Sequence, residues 1–501
     1  MYSATDVIVV GTGNAALCAA LAAREQGASV RVIEKAPEDM AGGNTKYTAG
    51  AMRFAYASGE DLLPLLRDPA DPRLSRTDFG AYTAETFAGD LLVFNDGRPL
   101  SAEQQKLVGR SLQTMRWLAA QDIKFEPIYE RQSFEKDGRL VFWGGLTLAA
   151  QGEGVGLFEA ERDALLKRGG EIVYDCAAEG LMTDAAGRVC GVRARTADGE
   201  AHEMRAGAVV LASGGFEASE TLRRKYMGDE WGQARVRGTP HNTGDGLEMA
   251  LALGAAQHGL YAGAHATPMD RHMKEYGNLD IPHGERKNYR KICYFLGVML
   301  NAHGKRFVDE GKDFRNYTYA QYGKAVLDQP GGFAWQIFDA KVLDLLYAEY
   351  RFHDAHFVEA VTLEALCDKL DGVDAAEALE TLRRFNDAVD ESVPFDPTTR
   401  DGKGAPGLTP PRSHWAQKLD TAPFRAFPVT GGITFTYGGL KVGAAGEVLR
   451  GDETAIPGLY ACGELVGGVF FNGYPGGSGL TSGAVFGRQA GYGAAAAVVP
   501  A

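Results

Sequence analysis

Cysteine is scarce and scattered. Six occur among 501 residues, at Cys18, Cys176, Cys190, Cys293, Cys367 and Cys462, with no Cys-x-x-Cys pair and no Cys/His ligand spacing. Neither a disulfide framework nor a metal site is expected from that pattern, and it suits a reducing compartment. No run of 18 apolar residues occurs, so direct membrane insertion is not expected. The Ala-rich tail from Ala494 to Val499 is too short to span a bilayer and reads as the end of a helix. The first apolar run, from Asp6, has no basic leader ahead of it, and the expected location is cytoplasmic. Positive charge is also short: 52 Lys and Arg stand against 65 Asp and Glu, a net −13, which repels nucleic acid and anionic membranes. What is abundant is apolar residue, 45% of the chain, enough at this length for two domains.

Asp6–Val10 is apolar and β-rich, Gly11-Thr12-Gly13-Asn14-Ala15-Ala16 opens an Ala-rich helix to about Gln26, and Ser29–Glu34 reads as a second strand. That is a βαβ unit. A helix near Gly156–Arg168 and strands at Glu171–Tyr174, Val189–Thr196 and Ala208–Ala212 continue the theme, the last running into Ser213-Gly214-Gly215-Phe216. From about Gly263 the sequence becomes aromatic, charged and helical, with helices predicted over Asp339–Arg351, Thr362–Leu370 and Ala375–Val389. A strand is predicted over Cys293–Leu300. After the Pro/Gly-rich stretch Pro394–Pro411, strands near Ile433–Val442 and Gly458–Cys462 lead to Gly463-Glu464 and a glycine-rich loop into a last helix near Leu480. The expected domains are 1–262 and 430–501, forming one cofactor-binding body, and 263–429, inserted between them.

The glycine pattern points to a dinucleotide. Gly11, Gly13 and Ala16 follow a strand and open a helix, so the backbone can approach a pyrophosphate and aim helix N–H groups at it. Glu34, at the end of the second strand, can accept both ribose hydroxyls and disfavours a 2′-phosphate. Three further glycine clusters favour FAD over NAD, because a resident flavin needs backbone around its pyrophosphate, ribitol and ring: Gly42-Gly43-Asn44-Thr45, Gly214-Gly215, and Gly476-Gly477-Ser478-Gly479-Leu480-Thr481. A helix N-terminus at the last can stabilise negative charge on a reduced ring. The expected cofactor contacts are Gly11, Gly13, Asn14 and Ala15, then Glu34 and Lys35, then Gly42, Gly43, Asn44 and Thr45. Gly50 and Ala51, Ser213, Gly214 and Gly215, and Thr243 and Asp245 follow. Gly463 and Glu464, with Ser478, Gly479 and Leu480, complete the set.

These segments, with Asn242-Thr243-Gly244-Asp245-Gly246, Gly304-Lys305-Arg306-Phe307-Val308-Asp309-Glu310 and Gly458-Leu459-Tyr460-Ala461-Cys462-Gly463-Glu464, resemble the fumarate reductase/succinate dehydrogenase flavoprotein superfamily over nearly the whole chain. Phe314-Arg315-Asn316-Tyr317-Thr318 and Tyr474-Pro475-Gly476-Gly477-Ser478-Gly479-Leu480-Thr481 most resemble the FAD-dependent tricarballylate dehydrogenases. The resemblance implies an α/β fold: a Rossmann-like FAD-binding domain of glutathione-reductase type, with an inserted α+β capping domain. It also implies that Glu464 contacts the ribitol. Covalent members carry a histidine in the segment matching Gly43–Thr45; Asn44 stands there, so non-covalent FAD is expected.

Desaturating a carbon–carbon bond beside a carboxylate or carbonyl moves a hydride to the flavin and a proton to a base, while cations hold the activating group. Arg315 lies one residue beyond the spacing at which fumarate reductases place their proton-transferring arginine. Its high reference pKa calls for a desolvated pocket or a carboxylate relay such as Glu310; the structural alternative is an arginine paired with Asp309 or Asp313. His265 and Thr267 fall where the family has a substrate-binding His and Thr. Arg286, Lys287, Arg290 and Lys291 form a basic run able to gather a polycarboxylate or to serve as a solvated face. Two departures open the substrate question: Tyr474 replaces a clamping arginine, and the stretch Thr434-Phe435-Thr436 lacks the family's histidine. Ketosteroid dehydrogenases share a Tyr-Pro-Gly turn and use its hydroxyl to polarise a ketone. The expected function is desaturation of a small, tricarballylate-like substrate, with Arg315 and Tyr474 as catalytic candidates and His265, Thr267, Arg286 and Arg290 as substrate ligands. The alternatives are an enoate reductase of fumarate or urocanate type, a ketosteroid Δ1-dehydrogenase-like enzyme, or an electron-transfer subunit. The sequence shows no nicotinamide or iron–sulfur motif, so the electron acceptor is expected to be quinone, oxygen or a separate protein; an iron–sulfur partner protein is what the resemblance to tricarballylate dehydrogenases implies.

Overall fold

The computed structural model describes residues 2–287, 289–397 and 399–498. The chain divides into two compact units, Met1–Leu222 with Gly238–Gly263 and Phe435–Ala501, and Arg223–Arg237 with Ala264–Thr434.

In the first unit, strand β1 (Thr5–Val10) is buried from Val7 onward, the signature of a strand covered on both faces. It is followed by helix α1 (Asn14–Glu25) and strand β2 (Val30–Ile33). Helix α2 (Glu153–Lys167) leads to strand β3 (Glu171–Val173), which extends the parallel sheet beyond β2. Strands β4 (Cys176–Thr183) and β5 (Val189–Thr196) form an antiparallel hairpin that passes to β6 (Ala201–Leu211). The eleven residues of β6 do two jobs. Its first half pairs antiparallel with β5, and its second half runs parallel to β1, Val7 opposite Ala208 and Val10 opposite Leu211. The carboxyl ends of β1 and β6 therefore lie side by side, each delivering a glycine turn to the same sheet edge.

The second unit is built on a mixed sheet. Strand β7 (Arg235–Val236) pairs parallel with β12 (Phe424–Thr436), and β8 (Ala264–Asp270) also pairs with β12. On the other side of β12 the order continues through β10 (Phe333–Phe338) to β9 (Val298–Leu300), both antiparallel. The edge strand β11 (Val358–Ala360) is antiparallel to β12. Helix α3 (Arg315–Leu327) lies on β8 so closely that a Cβ on Gly323 would stand 2.4 Å from Thr267 N. The amphipathic α4 (Ala375–Ala388) buries Ala378, Leu382 and Phe385 beside Trp335 and Ile337 of β10. Segment Arg223–Arg237 belongs to this unit because Trp231, Ala234 and Val236 share a core with Ala264, Ala266 and Ile433.

The chain then returns to the first unit. Strand β13 (Ala455–Ala461) pairs parallel with the end of β6, and helix α5 (Ser478–Ala496) closes the fold against α1. Glycines four apart let the two helix backbones touch. A Cβ on Gly487 would lie 2.3 Å from Ala15 O, and one on Gly491 2.1 Å from Ala19 O. The helix ends at Ala496; Val499 lies outside the described residues.

Several elements differ from expectation. Asp339–Arg351 is not one helix but two 3₁₀ turns, Ala340–Leu345 and Ala348–Tyr350, separated by extended backbone at Leu346 and Tyr347. Val342, Leu346 and Tyr350 mimic helical spacing, yet the break lets the Tyr350 hydroxyl meet Cys293 N and Gln336. The predicted strand Cys293–Leu300 begins as a 3₁₀ turn, Tyr294–Leu296, and extends only from Val298. Gly297 sits between them, where a Cβ would fall 2.2 Å from Ile337 O. The strand expected near Ile433–Val442 starts earlier, at Phe424, and ends at Thr436. The helix over Thr362–Leu370 is confined to Leu363–Cys367, capped by the Thr362 hydroxyl.

Two predictions follow from this packing. Gly487→Ala is expected to lower stability by roughly 1–3 kcal/mol through overpacking, whereas Gly89→Ala, with nothing within 4 Å of its added methyl, raises it by about 0.5–1 kcal/mol; urea unfolding midpoints read both. Glu161 of α2 is fully buried, its Oε1 3.6 Å from the Cys18 thiol and its Oε2 without a hydrogen-bond partner. Burial pushes its pKa well above the ordinary 4.5. Its contribution to stability is therefore complete below that value and is lost as pH rises through the folded-state pKa. Glu161→Gln should flatten the fall of the melting temperature between pH 5 and 9; an unchanged slope would refute the assignment.

Candidate cofactor and substrate sites

Several of the residues expected to hold the cofactor lie at the carboxyl edge of the first unit's sheet. Gly11 has φ +107°, and a Cβ there would strike Ala212 O at 2.5 Å; only glycine lets β1 turn beside β6. Gly13 caps α1, and the space over it is open: the nearest atom to its would-be Cβ is Thr45 Oγ1 at 3.6 Å. Gly43 opposes it, with Gly13 Cα the closest neighbour at 3.9 Å. Thr45 holds the turn by accepting from Asn14 N at 2.9 Å, and Asn14 Nδ2 donates to Leu480 O at 2.8 Å. Leu480 lies in the first turn of α5, next to Ser478 and Gly479, so two helix N-termini are tied together by one amide.

Thr12 is a residue that sequence reasoning passed over. Its hydroxyl donates to Glu34 Oε2 at 2.5 Å and accepts from Gly42 N at 2.9 Å. Glu34 also accepts from Ala36 N at 2.8 Å, so the carboxylate is fixed in place. Lys35, Thr243 and Asp245 bind one another: Lys35 Nζ is 2.5 Å from the Thr243 hydroxyl and 2.6 Å from Asp245. Gly50 is there for packing, since a Cβ would lie 2.7 Å from Glu153 Cα, and Ala51 opens a short strand paired with Leu148–Ala150. The Ser213 hydroxyl, at the end of β6, is buried without a hydrogen-bond partner. Gly463 backs onto Ala15, 2.7 Å from a would-be Cβ.

This set fits an FAD. Open backbone over Gly13 and Gly43, two helix N-termini and an unsatisfied buried hydroxyl at Ser213 are what a pyrophosphate-containing dinucleotide requires. Asn44, in the segment where covalent relatives carry histidine, donates Nδ2 to Glu217 at 2.7 Å and accepts from Thr239 N at 2.8 Å. Tyr474 packs edge-on against Phe435 and Phe470, with ring centroids 5.2 and 5.4 Å away.

The substrate candidates of the second unit surround β8. His265 is fully buried, with its ring edge-on to Tyr319 at 5.2 Å. Burial and the positive fields of Arg237 and Arg290 hold its pKa well below the usual imidazole value, so it is neutral. Thr267 is buried, with its hydroxyl 3.5 Å from Met269 sulfur. Arg315 is the first residue of α3, one turn before Tyr319, and lies over the Tyr347 ring at 5.1 Å. Arg237, unremarked in the sequence, donates Nε to the Thr434 hydroxyl at 2.9 Å.

The basic run is not a row of solvated cations. Arg290 bonds Glu349 at 2.8 Å, Lys287 approaches Asp354 at 3.5 Å, and Lys291 is fully buried 3.7 Å from Asp270. Arg286 donates to Ile281 O at 3.1 Å. The relay expected at Glu310 is spent elsewhere: this buried carboxylate binds Arg306 at 2.5 Å, Arg412 at 3.4 Å and Met299 N at 2.9 Å. Asp313 pairs with Arg400 at 3.7 Å, and Asp309 receives the Ser413 hydroxyl at 2.5 Å. Glu310→Gln leaves two buried guanidinium groups undercompensated and should cost roughly 3–5 kcal/mol of unfolding free energy, read from denaturant titration.

Residues 6–480 match the family described as FAD binding domain. Among curated relatives, NADH:acrylate oxidoreductase of Vibrio harveyi is 28% identical over 546 residues, which cover 97% of this chain and 50% of that protein. NADH:fumarate oxidoreductase of Klebsiella pneumoniae is 27% identical, with 98% of this chain and 47% of that protein covered. The chain thus spans about half the length of these two. A solved 3-ketosteroid delta1-dehydrogenase from Sterolibacterium denitrificans shares the fold at a TM-score of 0.75 and 22% identity, over 99% of this chain and all of that one.

Proposed function

The chain belongs to the FAD binding domain family, and from that premise we propose that it exchanges a hydride and a proton across a carbon–carbon bond beside a carboxylate of a small, tricarballylate-like substrate. The observation that carries this reading is the group of cations around a neutral His265: Arg237 and Arg290 depress its pKa, and Arg315 begins the helix that bears its ring partner Tyr319. A buried imidazole kept neutral can donate a hydrogen bond without adding charge, while arginines hold a carboxylate and spread the charge that develops on it.

In this proposal Arg237 and Arg290 bind the carboxylate, with His265, Thr267 and Arg286 completing its surroundings. Arg315 carries the proton to or from the carbon next to the one that exchanges the hydride. When bound, FAD supplies the hydride acceptor or donor. It is held non-covalently, because Asn44 stands in the segment where the covalent members of the resembled superfamily carry histidine. Electrons pass to or from a separate partner: quinone, oxygen or an iron–sulfur protein. The names of the relatives, an acrylate and a fumarate oxidoreductase, support an unsaturated carboxylate as one side of the reaction.

A second reading has its own support. Phe435, Tyr437, Phe470 and Tyr474 form an aromatic group in the first unit, suited to a hydroxyl that polarises the ketone of an apolar ring system. Anaerobic titration separates the two. Flavin absorbance should bleach with tricarballylate or succinate, or recover from the reduced state with fumarate, and Arg237→Gln should weaken either response by roughly 100-fold, the loss of one charged contact. Bleaching by a 3-ketosteroid alone, unaffected by Arg237→Gln and abolished by Tyr474→Phe, would establish the second reading instead.

A further inference from the structure

Arg53 is a buried cation to which neither reading of the function gives a part. It follows the short strand Ala51–Met52 and is 6% exposed. Its backbone N donates to Gly477 O at 3.1 Å and its Nε to Gly476 O at 2.7 Å, so one residue grips two successive carbonyls of the turn that opens α5. Its Nη1 donates at 2.6 Å to the carbonyl of Gly144, on an exposed loop. The guanidinium lies over the Tyr82 ring, 5.0 Å from its centroid, and Asp90 Oδ2 stands 3.7 Å from Nη1. That same oxygen receives the Tyr82 hydroxyl at 2.6 Å.

The turn has little of its own to hold it. Gly476 and Gly477 carry no side chains, and glycine has the freest backbone of any residue. Gly477, at φ +88°, is the N-cap of α5 and offers no side chain to cap it. A Cβ there would fall 2.5 Å from Leu146 Cδ1 and 3.2 Å from Arg53 N, so the packing around Arg53 itself calls for glycine. Ser478 closes the turn from the helix side, donating both its N–H and its hydroxyl to Pro475 O. Arg53 holds it from the other side, at Gly476 O. Arginine suits this task because its donors sit in a rigid planar fork, whereas a lysine ammonium is a point charge on a flexible stem. Nε and Nη1 thus hold Gly476 and Gly144 at once, in fixed directions.

We propose that Arg53 is a positioning residue, which sets the Gly476-Gly477 turn and through it the segment from Tyr474 to the first turn of α5 for the flavin. The inference rests on the reading of that segment as a flavin contact. Desolvating a guanidinium is costly, and a neutral side chain of similar volume would fill the space at less cost, so what the charged fork contributes is geometry. Asp90 compensates the charge, and Tyr82 supports the guanidinium plane while holding Asp90. With the turn fixed, the N–H groups that begin α5 keep one direction and stabilise negative charge on a reduced ring without reorganising. With the turn loosened, the reduced flavin loses more than the oxidised one, because it carries more negative charge.

The test is titration of FAD into the apoprotein, followed by flavin fluorescence, together with the midpoint potential of the bound flavin, for the wild type and Arg53→Lys. Lysine keeps the charge and loses the fork. FAD affinity should fall by roughly 10- to 100-fold, the loss of one charge-assisted hydrogen bond. Reduced flavin should lose up to tenfold more than oxidised flavin, a fall in potential of about 30 mV for a two-electron couple. If Arg53→Lys fails to fold, Tyr82→Leu, which removes the ring beneath the guanidinium, should shift both quantities in the same direction by a smaller factor. A lowered urea midpoint with wild-type affinity and potential would reduce Arg53 to a structural role and overturn the proposal, while the cofactor reading stands. A wild type that binds no FAD would overturn both.

Discussion

The first unit depends on one close contact, the approach of α1 to α5. Neither helix has the side chains to bury much area against the other; what they have is glycine on one and alanine on the other. That lets backbone meet backbone and replaces side-chain interdigitation with dense van der Waals contact. The same approach brings the two helix N-termini to one place, where Asn14 bonds Leu480. Two partial positive ends and their unsatisfied N–H groups then face one region. A cofactor with a pyrophosphate is the counterpart that such an arrangement lacks.

Much of this was legible in the sequence because it is local. The turn after β1 requires glycine at Gly11 for its positive φ, and the strand before it is apolar on both faces; both facts show in a dozen consecutive residues. The contributions that escaped notice are those whose partner is distant. Thr12 reads as a spacer between two glycines until Glu34 and Gly42 are seen around its hydroxyl. Glu217 is an ordinary acid after Gly-Gly-Phe until Asn44 and Asn242 are seen to donate to its carboxylate. Arg237 gains meaning only when β7 lies beside β12. The helical misreading of Asp339–Arg351 has the same origin: apolar spacing records which residues are buried, while the path between them was set by Tyr350 reaching Cys293 and Gln336.

Charge in the second unit follows a different logic from its appearance in the sequence. Arg286, Lys287, Arg290 and Lys291 look like a uniform basic stretch, yet each has its own engagement, and Lys291 is carried fully inside against Asp270. Glu310 is likewise the anchor of Arg306 and Arg412. Such buried pairs add little net stability, but a wrong arrangement would leave a bare charge inside and is strongly disfavoured. Arg290, one of the cations that acts on His265, is itself held by Glu349, so its charge too is compensated.

The contact between α1 and α5 also orders events in time. The partners are far apart in sequence, with the whole second unit between them, so while the chain is being made, α1 must wait with its small-residue face uncovered until the intervening residues have been added. The second unit is mostly one continuous stretch and has its own core, so it can condense during that wait. Its folding draws the ends of the flanking segments together and shortens the loop that α1 and α5 must close. The nucleotide cradle thus closes only after the unit that interrupts it has been made.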